Sequence, residues 1–243
     1  MQLLGKRVAE LHRAFARTTG DPAFDPEPVS AADLAQWKAS VLEEGERTFA
    51  AAAEARAVLS DAARVLIDSV LVQRERLLER VRALALPSVA LAKTRYHGDL
   101  HLGQVLVAQD DFVVVDFEGE PARGFEERRR KGCVLRDVAG MLRSISYAAD
   151  SAELRREPRA GASPEAAQAV LGAWERNATS AFLGGYRAGV AATASVPADD
   201  TAFAALLDLF VFEKALYELR YEMENRPDWI AIPVRGLTEL ALR

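Results

Sequence analysis

A chain of 243 residues, half of them apolar, can bury a sizeable core as one large domain or two small ones. Its net charge of -5 gives no electrostatic reason to expect nucleic acid or an anionic membrane as partner, and no apolar run approaches the ~20 residues that span a bilayer. The single cysteine, Cys133, excludes an intramolecular disulfide framework and a cysteine-rich metal site, so a reducing cytoplasm is the expected address.

Leu4, Val8, Leu11 and Phe15 share one helical stripe while Lys6, Arg7, Glu10 and Arg13 face elsewhere, which predicts an amphipathic first helix. Asp21-Pro22 and Pro26-Glu27-Pro28 break it. Ser30 followed by Asp33 has the form of a capping box and opens a second helix that runs to about Ala57. A third is predicted from Asp61 to Ala85, carrying Val65, Leu66, Leu71, Leu77, Leu78 and Val81 until Leu86-Pro87 stops it. Residues 94–117 then hold short β-branched runs around Gln109-Asp110-Asp111, the pattern of a β-hairpin inside a helical protein. Helical periodicity resumes at Asp137, with Val138, Met141, Leu142 and Ile145 on one face. After a polar Ala/Ser/Glu/Pro loop, Ser163-Pro164-Glu165 opens another helix with proline at its first position, and a last long helix spans about Asp200 to Glu224 before Asn225-Arg226-Pro227. The expected fold class is mainly α with a small β-hairpin (α+β), as a single unit over residues 1–243. Its parts are a helical stretch at 1–93, a catalytic and metal-binding hairpin at 94–117, and a helical stretch at 118–243.

The chemistry concentrates on that hairpin. Two of the three histidines, His97 and His101, lie four residues apart and flank Asp99, in a loop whose Gly98 and Gly103 let the backbone turn tightly. A three-residue turn at 109–111 would pair Ala108 with Phe112, Val107 with Val113 and Val105 with Val115. Gln104 would then lie opposite Asp116, with Cβ atoms roughly 5 Å apart. An amide oxygen and a carboxylate at that spacing form a hard-ligand pair suited to Mg²⁺, which takes its remaining ligands from water and phosphate. Phosphoryl transfer needs these parts: a base to orient the incoming hydroxyl, and cations that bridge and neutralise the phosphates. Taken singly, Asp99 and Asp116 also fit ordinary turn and strand-end acids, and His97 a packed core histidine; the combination favours a site.

The run His97-Gly98-Asp99-Leu100-His101-Leu102-Gly103-Gln104, followed by Val115-Asp116-Phe117-Glu118-Gly119-Glu120-Pro121, resembles the catalytic and metal loops of the protein-kinase-like phosphotransferases, which include aminoglycoside and choline kinases. Within that superfamily the resemblance is to the maltokinase family. It implies that Asp99 is the catalytic base, that Gln104 and Asp116 hold Mg²⁺, and that ATP and maltose are the substrates, giving maltose 1-phosphate. Gly98 stands where protein kinases have the arginine of H-R-D, Gln104 where they have asparagine, and Glu118 where D-F-G has glycine. Leu135 to Ser144 resembles the helix after the metal loop, where Asp137 would cap the helix and brace the catalytic loop; a cap alone fits equally. His97, Arg136 and Asp137 are thus the expected structural supports, with His101 and Glu118 as substrate contacts.

Residues 214–229 again resemble maltokinases. Tyr217 with Tyr221, and Glu218 with Glu222, fall four apart on shared helix faces. Tyr217, Tyr221 and Glu222 are candidate sugar contacts, although an aromatic stripe also fits a core and Trp229 a hydrophobic stop. Arg128-Arg129-Arg130-Lys131 follows Glu126 and Glu127 and reads as a solvated, ion-paired loop. His97 and His101 have zinc-pair spacing without a third ligand. Gly5, Gly20 and Gly45 are the glycines before residue 97, so no Gly-rich nucleotide loop is present and the chain corresponds to the carboxy-terminal lobe of such a kinase. Its expected partners are the missing N-lobe or a fused trehalose synthase domain, and the chain alone is expected to bind nucleotide weakly. The alternatives are another small hydroxyl acceptor such as an aminoglycoside, or a non-catalytic module docking on a trehalose-metabolising enzyme.

Overall fold

The computed structural model describes residues 1–86, 90–121, 123–155, 163–191 and 193–242. The expected stop at Pro87 and most of the polar loop before Ser163 lie outside the described residues. The chain divides into two compact units, each assembled from two separate stretches: Met1–Val29 with Val89–Phe203, and Ser30–Ser88 with Ala204–Arg243.

The first unit is built on α1 (Gln2–Phe15), α6 (Leu135–Leu154) and α7 (Pro164–Gly189). Ser163 caps α7 by accepting a hydrogen bond from Ala166 N, with Pro164 at the first position as its sequence requires. Helices α1 and α7 meet almost backbone to backbone. A Cβ on Gly5 would lie 2.0 Å from the Phe182 carbonyl oxygen, and one on Gly185 2.0 Å from that of Gln2. The buried face of α1 is Leu4, Gly5, Val8, Ala9 and His12, so the stripe runs through His12, and the expected Leu11 and Phe15 are only half-buried.

Two small antiparallel sheets belong to this unit. Strand β1 (Glu27–Pro28) pairs with β2 (Ala92–Lys93), and β3 (Val105–Ala108) with β4 (Asp111–Val114). The β3–β4 hairpin differs from the expected register by one residue on its second strand. Its partners are Val105 with Val114, Leu106 with Val113, Val107 with Phe112 and Ala108 with Asp111. The reason is the turn, which has two residues instead of three: Gln109 and Asp110 both adopt left-handed φ, 49° and 63°, the conformation whose twist matches that of the strands. Arg7 of α1 grips the tip with two bonds of 2.7 Å from its guanidinium to the Asp111 carboxylate. A short helix α5 (Phe125–Arg128) precedes α6.

The second unit contains α2 (Ala31–Ala55), α3 (Asp61–Leu71), α4 (Arg74–Ala83), most of α8 (Asp200–Asn225) and α9 (Ala231–Leu242). Ser30 and Asp33 form the expected reciprocal capping box. The expected helix from Asp61 to Ala85 is two helices. The last turn of α3 tightens through Gln73 N to Val70 O, and the Gln73 side-chain amide takes the Ser69 carbonyl at 2.9 Å. Helix α9 carries Pro233 in its first turn, where no intrahelical donor is lost, and therefore survives a residue that reads as a breaker. Gly45 of α2 lets Leu78 of α4 approach: an added Cβ would lie 2.8 Å from Leu78 Cδ2. Among the described residues, no helix is long and apolar enough to cross a membrane.

Candidate active site

The loop that carries Asp99 hangs from α6 by its backbone. Asp137, fully buried, accepts from Gly98 N at 2.9 Å on one carboxylate oxygen and from His97 N at 2.7 Å on the other. Asp137 is not the N-cap of α6. The cap is Val134, without a side-chain bond, and the Asp137 side chain is spent on the loop. Two further contacts continue the attachment: Ser144 Oγ accepts from Leu102 N at 3.0 Å, and Gly140 lets Leu100 O come so close that a Cβ would stand 2.6 Å from it. Gly98 itself has φ +88°, which an L side chain rarely adopts.

His97 ties the two halves of the site together. Its Nε2 lies 2.9 Å from Val115 O, and its Nδ1 accepts from Asp99 N at 3.3 Å. An Nε2–H donor to a carbonyl and an Nδ1 acceptor for an amide are what the neutral ring provides. One imidazole thus fixes both the amide of Asp99 and the carbonyl that precedes Asp116. The Phe117 ring packs on His97 with centroids 5.0 Å apart.

Gln104 and Asp116 meet, by a route other than the expected one. The hairpin register sets Gln104 beside Val115, whose N–H donates to Gln104 O at 3.0 Å. Asp116 then takes a left-handed φ of 65°, which brings its carboxylate to Gln104, where Nε2 donates to Oδ2 at 2.9 Å. A non-glycine residue in that region costs of order 1 kcal/mol, and such backbone clusters at functional sites. The pair offers an amide and an exposed carboxylate, hard ligands that fit Mg²⁺. Among the described residues no three His, Cys, Asp or Glu side chains gather to hold a metal by themselves, so a cation there would draw on water and phosphate oxygens.

The other expected site residues are placed as follows. His101 accepts from Gly103 N at 3.0 Å through Nδ1, capping a 3₁₀ turn at Leu102–Gln104, and its Nε2 stands 3.8 Å from Asp99 Oδ2. Among the described residues no third His, Cys, Asp or Glu joins His97 and His101 to complete a zinc site. Glu118 is exposed, and its carbonyl accepts from Arg128 Nη1 at 3.2 Å. Arg136 lies in the first turn of α6, half-buried. Burial pushes the Cys133 thiol up to about 12, in keeping with a structural side chain.

In the second unit, Tyr217 and Tyr221 stack with centroids 6.3 Å apart and planes inclined by 23°. Arg226 donates to Glu222 Oε1 at 2.6 Å, and its guanidinium lies over both Tyr221 and Trp229, at 5.3 and 4.8 Å from the ring centroids. Lys214 sits over Tyr217 at 4.7 Å. The expected sugar-contact residues thus form a cation–aromatic cluster around a carboxylate that is 1% exposed.

Sequence reasoning missed His12. Its Nε2 is 3.1 Å from Asp137 Oδ2 and its Nδ1 is 2.8 Å from the Tyr186 hydroxyl, all three residues being buried. The signal was available in the spacing 4, 8, 12 on α1, which puts the first of the chain's three histidines on the buried stripe.

Residues 2–176 match the APH phosphotransferase enzyme family. The chain belongs to that family. Glucosamine kinase of Streptacidiphilus jiangxiensis is 28% identical over 237 residues, covering 98% of this chain and 48% of the relative. Glucosamine kinase of Mycolicibacterium smegmatis is 30% identical over 237 residues, covering 98% and 52%. Among solved structures, a glucosamine kinase (crystal form B) superposes with a TM-score of 0.73 at 27% identity, covering 100% of this chain and 52% of that one. A glucosamine kinase in complex with glucosamine, ADP and inorganic phosphate superposes with a TM-score of 0.72 at 27% identity, covering 98% and 50%. The chain spans about half the length of the curated relatives it matches. The APH fold is therefore shared with enzymes named for a sugar acceptor, and one of them has been crystallised with a nucleotide.

Proposed function

We propose that this chain supplies the catalytic and metal-binding loops of an ATP-dependent, Mg²⁺-dependent sugar kinase. The observation that supports it most is the double tether of His97, which holds the Asp99 amide and the Val115 carbonyl together, so that the loop of Asp99 and the Gln104–Asp116 pair form one rigid assembly. In this reading Asp99 accepts the proton of the acceptor hydroxyl as its oxygen bonds to the γ-phosphorus and the bond to the β-phosphate oxygen breaks, releasing ADP. Gln104 and Asp116 hold Mg²⁺, which when bound neutralises phosphate charge. His101, beside Asp99, and Glu118, in the metal loop, are proposed acceptor contacts.

Glucosamine is the first acceptor to test, because two relatives and three solved structures that resemble this chain carry that name. Maltose is the second, favoured by the stacked Tyr217–Tyr221 pair, since aromatic faces suit sugar rings. Arg226 and Lys214 lie over those rings, which weighs against a neutral sugar stacking there without displacing a cation. Tyr217, Tyr221 and Glu222 remain the proposed sugar contacts of the second unit, to be tested by substitution.

Two measurements test the proposal. Mn²⁺·ADP added to the ¹⁵N-labelled chain should broaden resonances of Gln104, Val115 and Asp116 first, and Asp116→Asn should abolish the effect; broadening elsewhere would sink the metal assignment. In ATP-coupled assays with glucosamine, maltose and an aminoglycoside, Asp99→Asn should lower turnover on the accepted substrate by about 10²–10⁴-fold. Equal turnover would remove Asp99 from the reaction.

A further inference from the structure

Asp137 holds the catalytic loop with both carboxylate oxygens, and Oδ2 carries a second neighbour, His12 Nε2 at 3.1 Å. The three groups in line come from different helices: Tyr186 from α7, His12 from α1 and Asp137 from α6. None is reached by solvent. A buried hydroxyl must place its single proton on an acceptor, and Tyr186 faces His12 Nδ1 at 2.8 Å. Burial also pushes the Tyr186 hydroxyl well above its ordinary pKa, so the proton stays on it. Nδ1 is then the acceptor and the ring's own proton resides on Nε2, pointing at the carboxylate. The opposite tautomer would bring a nitrogen lone pair to 3.1 Å from a carboxylate oxygen, and would make the Tyr186 oxygen the acceptor so that its own proton loses His12 as a partner.

We propose that His12 and Tyr186 are positioning residues for the phosphoryl-transfer loop, acting through Asp137. The chain of bonds has one sense, from the Tyr186 O–H to His12 Nδ1 and from His12 Nε2–H to Asp137 Oδ2. It orients the carboxylate so that its two oxygens meet the His97 and Gly98 amides, and Gly98 precedes Asp99 directly. The positioning of this loop matters to catalysis only if Asp99 is the base proposed above, but the bond chain itself can be tested without turnover. The small residues where α1 and α7 meet make the arrangement specific: Gly5 and Gly185 let the helices close until His12 and Tyr186 can meet.

The test uses the full 243-residue chain. Tyr186→Phe keeps the ring, which packs between Phe182 and Phe203, and removes only the hydroxyl. In the wild type, ¹⁵N spectra of the imidazole should show a protonated Nε2 and a hydrogen-bonded, unprotonated Nδ1. In Tyr186→Phe, that signature should shift toward mixed tautomers, and the His97 and Gly98 amides should exchange with solvent about tenfold faster while amides elsewhere in α6 and α7 keep their protection. Unchanged exchange at His97 and Gly98 would overturn the proposal. So would a uniform increase across α1, α6 and α7, which would mark the hydroxyl as a general stabiliser. His12→Gln gives an independent reading, and the same pair of amides should respond first. Loss of Asp99-dependent turnover with an intact bond chain would count against the kinase reading alone.

Discussion

The loop at His97–Gln104 and the segment at Tyr217–Trp229 carry the two halves of the sugar-kinase reading, and they are held by different means. The loop is fixed through its backbone: amides of His97, Gly98 and Leu102 all end on side chains of α6. The segment keeps its backbone in the last turns of α8 and a following turn, and its proposed contact side chains are held by one another, with Arg226 over two aromatic rings and onto Glu222. A backbone tether fixes where a residue sits whatever its side chain is, whereas a side-chain cluster changes with each substitution. The first suits a reaction whose geometry must be constant, and the second suits a surface that varies with its ligand.

The contrast can be broken most forcefully at Asp137. Asp137→Ala should leave the buried His97 amide, the half-buried Gly98 amide and His12 without their acceptor, lowering stability by about 3–5 kcal/mol in urea unfolding; a loss under 1 kcal/mol would show that the backbone tether is dispensable. Next comes the packing that brings His12 to Asp137. Gly5→Ala would drive a methyl into the Phe182 carbonyl, at a cost of about 3 kcal/mol and a visible loss of near-ultraviolet signal from Tyr186. A neutral result would mean that α1 and α7 have room to slide.

The side-chain cluster should yield less. Arg226 is nearly half exposed, so Arg226→Ala should cost about 1–2 kcal/mol, discounted for solvent screening, while freeing the Tyr221 ring. Titration with glucosamine and maltose would then show whether the uncovered ring gains affinity for either sugar. The smallest effect concerns the hairpin tip. The Arg7 guanidinium beside Asp111 lowers that carboxyl to about 2, so the folded state binds its proton less readily than the unfolded chain. The pair's contribution should be fully present above the ordinary carboxylate range and vanish as pH falls toward 2. Melting curves of wild type and Asp111→Asn should therefore differ at pH 6 and converge near pH 2; a gap that persists at pH 2 would assign the effect to packing.

Periodicity and capping were enough to place α1, α2, α6, α7 and α8, because an amphipathic stripe and a Ser30–Asp33 or Ser163-Pro164 start are local facts. The same reading gathered the proposed site residues around one hairpin, since Asp99, Gln104 and Asp116 lie close in sequence. It put the hairpin one residue out of register, because two left-handed residues in a row can be adopted by Gln109 and Asp110 without announcing themselves as glycines would. It expected Asp137 both to cap α6 and to brace the loop of Asp99, of which the structure keeps the brace and not the cap, and it passed over His12. Which of its neighbours a buried carboxylate serves depends on groups 39, 40 and 125 positions away in the chain. Short-range pattern thus determined most of the elements and which candidate residues lie near one another. Tertiary structure alone decided which buried donors meet which acceptors, because a hydrogen bond between distant helices leaves no periodicity in the sequence.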